Sequence, residues 1–149
     1  MPIYPSYPEV AHRAVMFHDE ATVVTGGPNV TIVTATTHPH NILPFLSGGA
    51  INEEFSNSFF VKAGTYTLYV LGQTWNNRGI LDWYVDGSLV LSGQDWYSVG
   101  AVVNVLKSGS LGALTDGYHV LTAKAASKNA SSSAYFAVLT TYWVKQASD

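Results

Sequence analysis

The sequence predicts an all-β fold, namely an antiparallel β-sandwich of eight or nine strands arranged as a jelly roll. Apolar and polar residues alternate in several short runs, as in strands that bury one face. Turn-forming residues recur about every 8–12 positions, which is typical of sandwiches and barrels. No segment carries a convincing helical period. Periodicity leaves the order of the strands open.

The clearest strands lie between residues 62 and 91. In the run 65–71, Tyr66, Leu68 and Val70 share one face, and the run 80–85 alternates in the same way. The dipeptide at 86–87 is Asp-Gly, which favours a two-residue hairpin turn because glycine readily adopts positive φ. These features predict a three-stranded antiparallel core.

Weaker signals complete the sandwich. Segment 9–20 stays open between a strand and a turn of helix. Further strands are predicted at 21–25, 30–37, 55–62, 99–106, 118–125 and 134–145, and loops at 38–49, 92–97, 108–112 and 126–133. The predicted core consists of Tyr66, Leu68, Val70, Leu81, Trp83, Val85, Val103, Val105, Leu121, Phe136, Val138 and Tyr142.

Two domain regions are predicted, an extended N-terminal arm at residues 1–20 and a single jelly-roll domain at 21–149. The arm contains Pro2, Pro5 and Pro8, and proline fixes φ and lacks an N–H donor, so the segment favours an extended chain. Such an arm is suited to contact a neighbouring subunit; a loosely ordered terminus is the alternative. The predicted interface residues are Tyr4, Pro5, Tyr7 and Pro8.

Composition restricts the classes of function. A chain of 149 residues fits one domain and contains no cysteine, which excludes disulfide and thiol chemistry. Charged residues make up 11%, against a usual value of about 25%. This fits either a surface packed in an assembly or a compact domain with a Ser/Thr exterior. The net charge of −3, with scattered basic residues, argues against a nucleic-acid partner.

Neither a membrane span nor a secretory signal is expected. No run of about 18 apolar residues occurs. The first residues, MPIYPSYPEV, lack both a basic and an apolar region of the kind that signal peptides carry.

Catalytic and metal-binding patterns are weak, and no enzyme activity, cofactor or metal is predicted. His38 and His40 would face one side of an extended chain, but no third or fourth ligand has a convincing spacing. Two of the possible catalytic carboxylates, Asp86 and Asp116, lie in Asp-Gly turns, where aspartate has a structural role. The other two candidates are Asp82 and Asp95.

Aromatic residues in two predicted turns form the best candidate binding site. Trp75, Asn76 and Arg78 lie in one turn, and Asp95 and Trp96 lie in the other. An exposed indole beside amide and carboxylate groups is suited to sugar binding, by stacking and by hydrogen bonds to hydroxyls. The alternative is that the tryptophans cap the sandwich or pack in a subunit interface.

Several strand and turn motifs resemble a jelly-roll module of tailed-bacteriophage virion proteins, such as capsid decoration proteins, head fibres and tail fibres. The chain is also loosely similar to carbohydrate-binding modules. The likeness spans residues 55–145 and implies a homotrimer with long loops at one end. The motifs are AGTYTL at 63–68, RGI at 78–80, YVDG at 84–87, DWYS at 95–98, GYHVL at 117–121 and SKNASSS at 127–133.

The resemblance leads to three hypotheses. The first is a capsid decoration, or cement, protein on the virion exterior, made in the host cytoplasm and bound to the major capsid protein. The short chain and the absence of a heptad stalk favour it over a fibre. The second is a carbohydrate-binding or receptor-binding module for a host surface glycan. The third is a sugar-active enzyme that uses the turn aspartates.

Overall fold

The computed structural model describes residues 50–147 in full and, before them, the backbone of four strands. These ranges contain eleven strands and no helix. The strands are β1 (Ala14–Phe17), β2 (Thr22–Thr25), β3 (Val30–Thr34), β4 (Ile42–Leu46), β5 (Glu54–Val61), β6 (Gly64–Thr74), β7 (Gly79–Val85), β8 (Ser88–Asp95), β9 (Val102–Leu114), β10 (Gly117–Lys128) and β11 (Ala137–Gln146).

Two antiparallel sheets form the molecule. The six-stranded sheet has the order β3-β4-β11-β6-β9, with β1 also paired to β11, and the five-stranded sheet has the order β2-β5-β10-β7-β8. The predicted fold class, an antiparallel jelly-roll sandwich, is confirmed. The predicted strand number was too low.

The core lies between the sheets, where alternating side chains of both meet. Phe55, Trp83 and Tyr142 form an aromatic cluster with ring centroids 5.5–6.1 Å apart. Most of the predicted core is buried, although Val105 and Phe136 are only half-buried. Val103 was wrongly placed in the core and is 40% exposed. One extra residue of β9 opposes β6 between Val102 and Val105, and this bulge breaks the alternation.

Three predicted loops contain strands instead. Segment 38–49 holds β4, segment 92–97 includes the end of β8, and segment 108–112 lies inside β9. Glycine and proline residues in these segments predict turns. Gly109 lies within a strand and is required for packing, not for a turn. A Cβ at this position would lie 2.5 Å from the Leu91 side chain, so the glycine permits close packing between the sheets. The predicted loop 126–133 begins later, because β10 extends to Lys128.

Some predictions concern residues outside the described ranges. These are the interface residues Tyr4, Pro5, Tyr7 and Pro8 and the histidine pair at 38 and 40. The segment left open between strand and helix contains β1, which pairs with β11. No helix in the described part of the chain is long and apolar enough to span a membrane.

The turns of the sandwich fall at two ends. β6, β8 and β10 all finish at one end, which we call the long-loop end; it carries loops 75–78, 96–101 and 129–136. The opposite, short-turn end carries turns 62–63, 86–87 and 115–116. This arrangement brings residues that are distant in sequence into one surface.

Candidate functional site

The long-loop end brings together all five residues that the sequence predicted for ligand binding. Trp75, Asn76 and Arg78 lie between β6 and β7, while Asp95 ends β8 and Trp96 follows it. The Trp75 N–H donates to the Trp96 carbonyl at 3.2 Å, and the Trp96 N–H donates to the Gly79 carbonyl at 3.1 Å. The two predicted turns are therefore joined through their backbones.

Trp75 is the most exposed of the predicted aromatic ligands. Its side chain is 41% exposed, and the guanidinium carbon of Arg78 lies 5.5 Å from the ring centroid. This is a cation–π contact, which fixes the ring relative to the strand behind it. Asn76 is also exposed, and its side chain has no hydrogen bond within the described residues. An indole surface and a free amide thus face solvent together.

Arg78 forms the buried support of this surface. It is 4% exposed, and its two terminal nitrogens donate to the side-chain oxygens of Asn77 and Gln73. Its Nε has no hydrogen-bond partner among the residues that the structure describes. Burial lowers the pKa of Arg78 to about 10, so the group is still charged at neutral pH. Neutral amides, rather than a carboxylate, hold this cation among the described residues.

Asp95 joins two loops of the long-loop end. One carboxylate oxygen accepts the Tyr97 N–H at 2.8 Å, and the other accepts a hydrogen bond from the Asn129 side chain at 2.9 Å. Asn129 in turn accepts the Ser131 N–H at 3.0 Å. The geometry gives Asp95 a positioning role, because both of its oxygens are occupied by the protein.

Trp96 belongs to the interior. The predicted exposure of this side chain is wrong, since it is only 1% exposed. The alternation of β8 continues past its end, so that Gln94 points inward, Asp95 outward and Trp96 inward again. The Gln94 side-chain oxygen accepts the indole N–H groups of Trp96 at 3.2 Å and Trp83 at 3.1 Å. Trp96 therefore caps the core, which was the alternative interpretation.

Other residues of this surface escaped the sequence analysis. The Ser132 hydroxyl donates to the Arg78 carbonyl at 2.7 Å, and Lys128 lies 5.7 Å from the centre of the Tyr135 ring. Gln73 and Asn77 hold the Arg78 guanidinium. In a sequence, a polar residue at a strand end is only a weak indication of a binding site. These contacts are known only from the folded structure.

Comparisons with known proteins identify the fold and not a family. No family model matches the chain, and no curated protein matches it. Among solved structures, a Paenibacillus xanthan lyase superposes with a TM-score of 0.64 and 19% identity over 85% of this chain. This chain spans only 12% of the lyase.

Two further structures are similar in size to this chain. The CBM36-1 domain of a multidomain xylanase from the hindgut metagenome of Trinervitermes trinervoides has a TM-score of 0.58 and 13% identity, covering 90% of this chain and 98% of the domain. A carbohydrate-binding module CBM36 in complex with calcium and xylotriose has a TM-score of 0.51 and 13% identity, covering 88% and 98%. These likenesses establish the sandwich fold of carbohydrate-binding modules.

The calcium of that complex raises the question of a similar site here. Within the described residues, no three side chains of His, Asp or Glu come together in a way that could hold a metal ion. Asp95 already accepts two hydrogen bonds from the protein. The described donor set at the long-loop end does not fit a calcium ion, and the binding argued below uses none.

Proposed function

We propose that this protein is a non-catalytic carbohydrate-binding module that binds glycan at its long-loop end. The observation that carries this proposal is the Trp75 indole, which is 41% exposed and backed by the buried Arg78 guanidinium. The fold shared with carbohydrate-binding modules supports it. So does the position of Trp75 among loops, where binding residues concentrate.

The binding mechanism follows from the chemistry of a sugar ring. One face of a pyranose is lined by C–H groups and can cover the indole, which removes apolar surface from water. Its hydroxyls can then bond to the side-chain amide of Asn76 and to the indole N–H of Trp75, neither of which has a partner within the described residues. A few such polar groups fix the orientation of a ligand.

Preorganisation supplies the rest of the affinity. The backbone bonds at Trp75 and the two hydrogen bonds of Asp95 hold the loops in one arrangement. Less conformational entropy is then lost when ligand binds. In this proposal Trp75 and Asn76 contact the glycan, whereas Arg78, Asp95 and Trp96 position them.

The two non-enzymatic hypotheses from the sequence do not have equal support. The solved structures described above are carbohydrate-binding modules or parts of glycan-acting enzymes, which favours the second hypothesis. The capsid exterior location, the homotrimer and the major capsid protein as partner stay predictions.

Affinity electrophoresis tests the proposal. Gels containing xylan, xanthan or mannan should retard the protein in at least one case. Trp75→Ala should weaken that interaction at least tenfold, or about 1.4 kcal/mol. Tyr118→Ala is the matched control, because Tyr118 is 81% exposed at the short-turn end. Migration unaffected by every polysaccharide, or equal retardation of Trp75→Ala and wild type, would contradict the proposal.

A further inference from the structure

A groove crosses the outer face of the five-stranded sheet, on a different surface from the long-loop end. It encloses about 220 Å³ and is lined by Glu54, Tyr84, Gly87, Thr122 and Lys124. These residues come from β5, β7 and β10 and from the turn after β7. The groove is thus built on three neighbouring strands and one short turn.

Strand register explains why these side chains meet. Tyr84 pairs with Thr122, and Lys124 pairs with Glu54 on one side and Asp82 on the other. All of them point away from the core, because they alternate with buried residues such as Trp83 and Ala123. Two cross-strand rows of the sheet therefore form the floor of the groove.

Gly87 leaves one side of the groove open. It adopts φ of +80° in the turn with Asp86, and no atom lies within 4 Å of the place where its Cβ would be. A larger residue would be strained in this conformation and would project into the space near Tyr84. The turn thus creates room beside the aromatic ring.

The groove presents two polar groups for which the described residues offer no partner. The Tyr84 hydroxyl and the Lys124 ammonium group have no hydrogen bond or ion pair in the described part of the chain. By contrast, the Thr122 hydroxyl lies 2.7 Å from the Ser56 hydroxyl, and Asp82 accepts the Gly93 N–H at 2.8 Å. A ligand in the groove would meet an aromatic ring and two donors that bond to none of the described residues.

We propose that this groove is a second glycan-binding subsite, which takes a neutral saccharide unit. The half-buried Tyr84 ring offers a stacking surface, and the Tyr84 and Lys124 donors can bond to hydroxyls. The lining contains one carboxylate and one ammonium group, those of Glu54 and Lys124, so it offers no excess of either charge to select an ionised sugar. The volume lies below the roughly 300–1,000 Å³ of pockets for drug-sized ligands, which suits a short stretch of glycan.

The ligand class rests on the proposed function, so the experiment must separate the two ideas. We would titrate the full ¹⁵N-labelled chain with xylohexaose, mannohexaose and cellohexaose and follow the amide chemical shifts. With at least one of these, we expect shifts both around Trp75 and at Tyr84, Thr122 and Lys124. Trp75→Ala should retain the second set, and adding Tyr84→Ala should abolish it.

Each outcome decides one of the two proposals. If all shifts stay at the long-loop end and disappear with Trp75→Ala, the groove subsite is wrong and the proposed function stands. If shifts occur only in the groove, the subsite is supported and the long-loop site is wrong. If no hexasaccharide causes shifts, both are wrong for neutral glycans. Since these maps come from the unmodified chain, the test holds even if Tyr84→Ala unfolds; Lys124→Ala then replaces it.

Discussion

His119 is a buried ionisable group whose two ring nitrogens both face acceptors. Its Nδ1 lies 2.7 Å from an Asp86 carboxylate oxygen, and its Nε2 lies 2.9 Å from the Thr115 carbonyl oxygen. The hydrogen bond to Thr115 raises the pKa of His119, burial opposes this, and Asp86 adds to the increase. For Asp86, burial opposes ionisation, but the hydrogen bonds from His119 and the Val120 N–H outweigh it and lower the pKa. Both charged forms are favoured in the folded state.

This pair predicts a pH-dependent free energy of unfolding. Because the pKa of His119 is higher in the folded than in the unfolded protein, its protonation stabilises the fold. This stabilisation is complete below the unfolded-state pKa of about 6.5, and it is lost as the pH rises through the folded-state pKa. Because the pKa of Asp86 is lower in the folded than in the unfolded protein, its ionisation also stabilises the fold. This stabilisation is present above the unfolded-state pKa of about 3.8, and it is lost as the pH falls through the folded-state pKa. Stability from the pair is therefore greatest between these limits.

Urea unfolding of wild type and His119→Gln at several pH values checks this prediction. Wild type should lose stability as the pH rises above about 6.5, and the variant should lose less over the same range. The same pH slope in both proteins would show that His119 does not titrate as described.

Arg78→Lys tests whether a fork-shaped cation is needed behind Trp75. Lysine keeps the charge but cannot donate to Asn77 and Gln73 with the same planar geometry. We expect a loss of about 1–3 kcal/mol in unfolding free energy and a several-fold weaker glycan interaction. The matched control is Lys62→Met, which removes a cation 5.8 Å from the exposed Phe60 ring at the other end. Equal glycan affinity in all three proteins would exclude a positioning role for Arg78.

At the scale of strands, the alternation of apolar and polar residues predicted the strands whose own sequence carries a clear pattern. It missed a strand that depends on pairing with its neighbour. β6 and β7 were recognisable because their inward positions are apolar at 66, 68 and 70 in β6 and at 81, 83 and 85 in β7. β4 was missed because it contains Pro44, yet its pairing with β3 continues through that residue. A single-sequence pattern does not show such pairing.

The sequence likewise predicted part of the candidate site, namely some of its residues but not how the loops meet. Turn composition identified Trp75 and Trp96 together, and alternation extended beyond β8 would have placed Trp96 inside. The meeting of loops 75–78, 96–101 and 129–136 could not be predicted, since it depends on strand order. Neither could the groove, because Tyr84, Thr122 and Glu54 meet only through the register of three strands.

Close packing between β8 and β9, which lie in different sheets, gives a prediction for the contact between the sheets. A Cβ at Gly109 would lie 2.5 Å from Leu91 Cδ2, so Gly109→Val forces Leu91 to move. We expect a loss of about 1–3 kcal/mol in unfolding free energy. The added cost should shrink when Leu91→Ala supplies space, which a double-mutant cycle measures.

Gly100→Ala is the control for this substitution. Nothing lies within 4 Å of a Cβ at Gly100, and its φ is outside the left-handed region, so its stability should change little. Additive effects of Gly109→Val and Leu91→Ala would contradict direct packing between these positions.

At the scale of the whole molecule, two candidate glycan surfaces lie on one β-sandwich. Binding of one polysaccharide chain at the long-loop end would raise the local concentration of sugar units near the groove. Few charged side chains take part in the proposed glycan binding, in keeping with a chain in which charged residues make up 11%. Affinity for neutral glycans should therefore depend little on ionic strength.

The N-terminal segment gives the last prediction. β1 pairs Ala14–Phe17 with residues 142–145 of β11, and β11 lies inside the six-stranded sheet and supplies Tyr142 to the aromatic core. Deleting residues 1–13 leaves this pairing intact, whereas deleting 1–20 exposes backbone groups along that side of β11. Each lost hydrogen bond costs about 0.5–1.5 kcal/mol, so the longer deletion should lower the unfolding midpoint clearly and the shorter one hardly at all. Equal midpoints of the two truncated proteins, measured by thermal unfolding, would instead support an arm that ends at residue 20 and contributes nothing to the sheet.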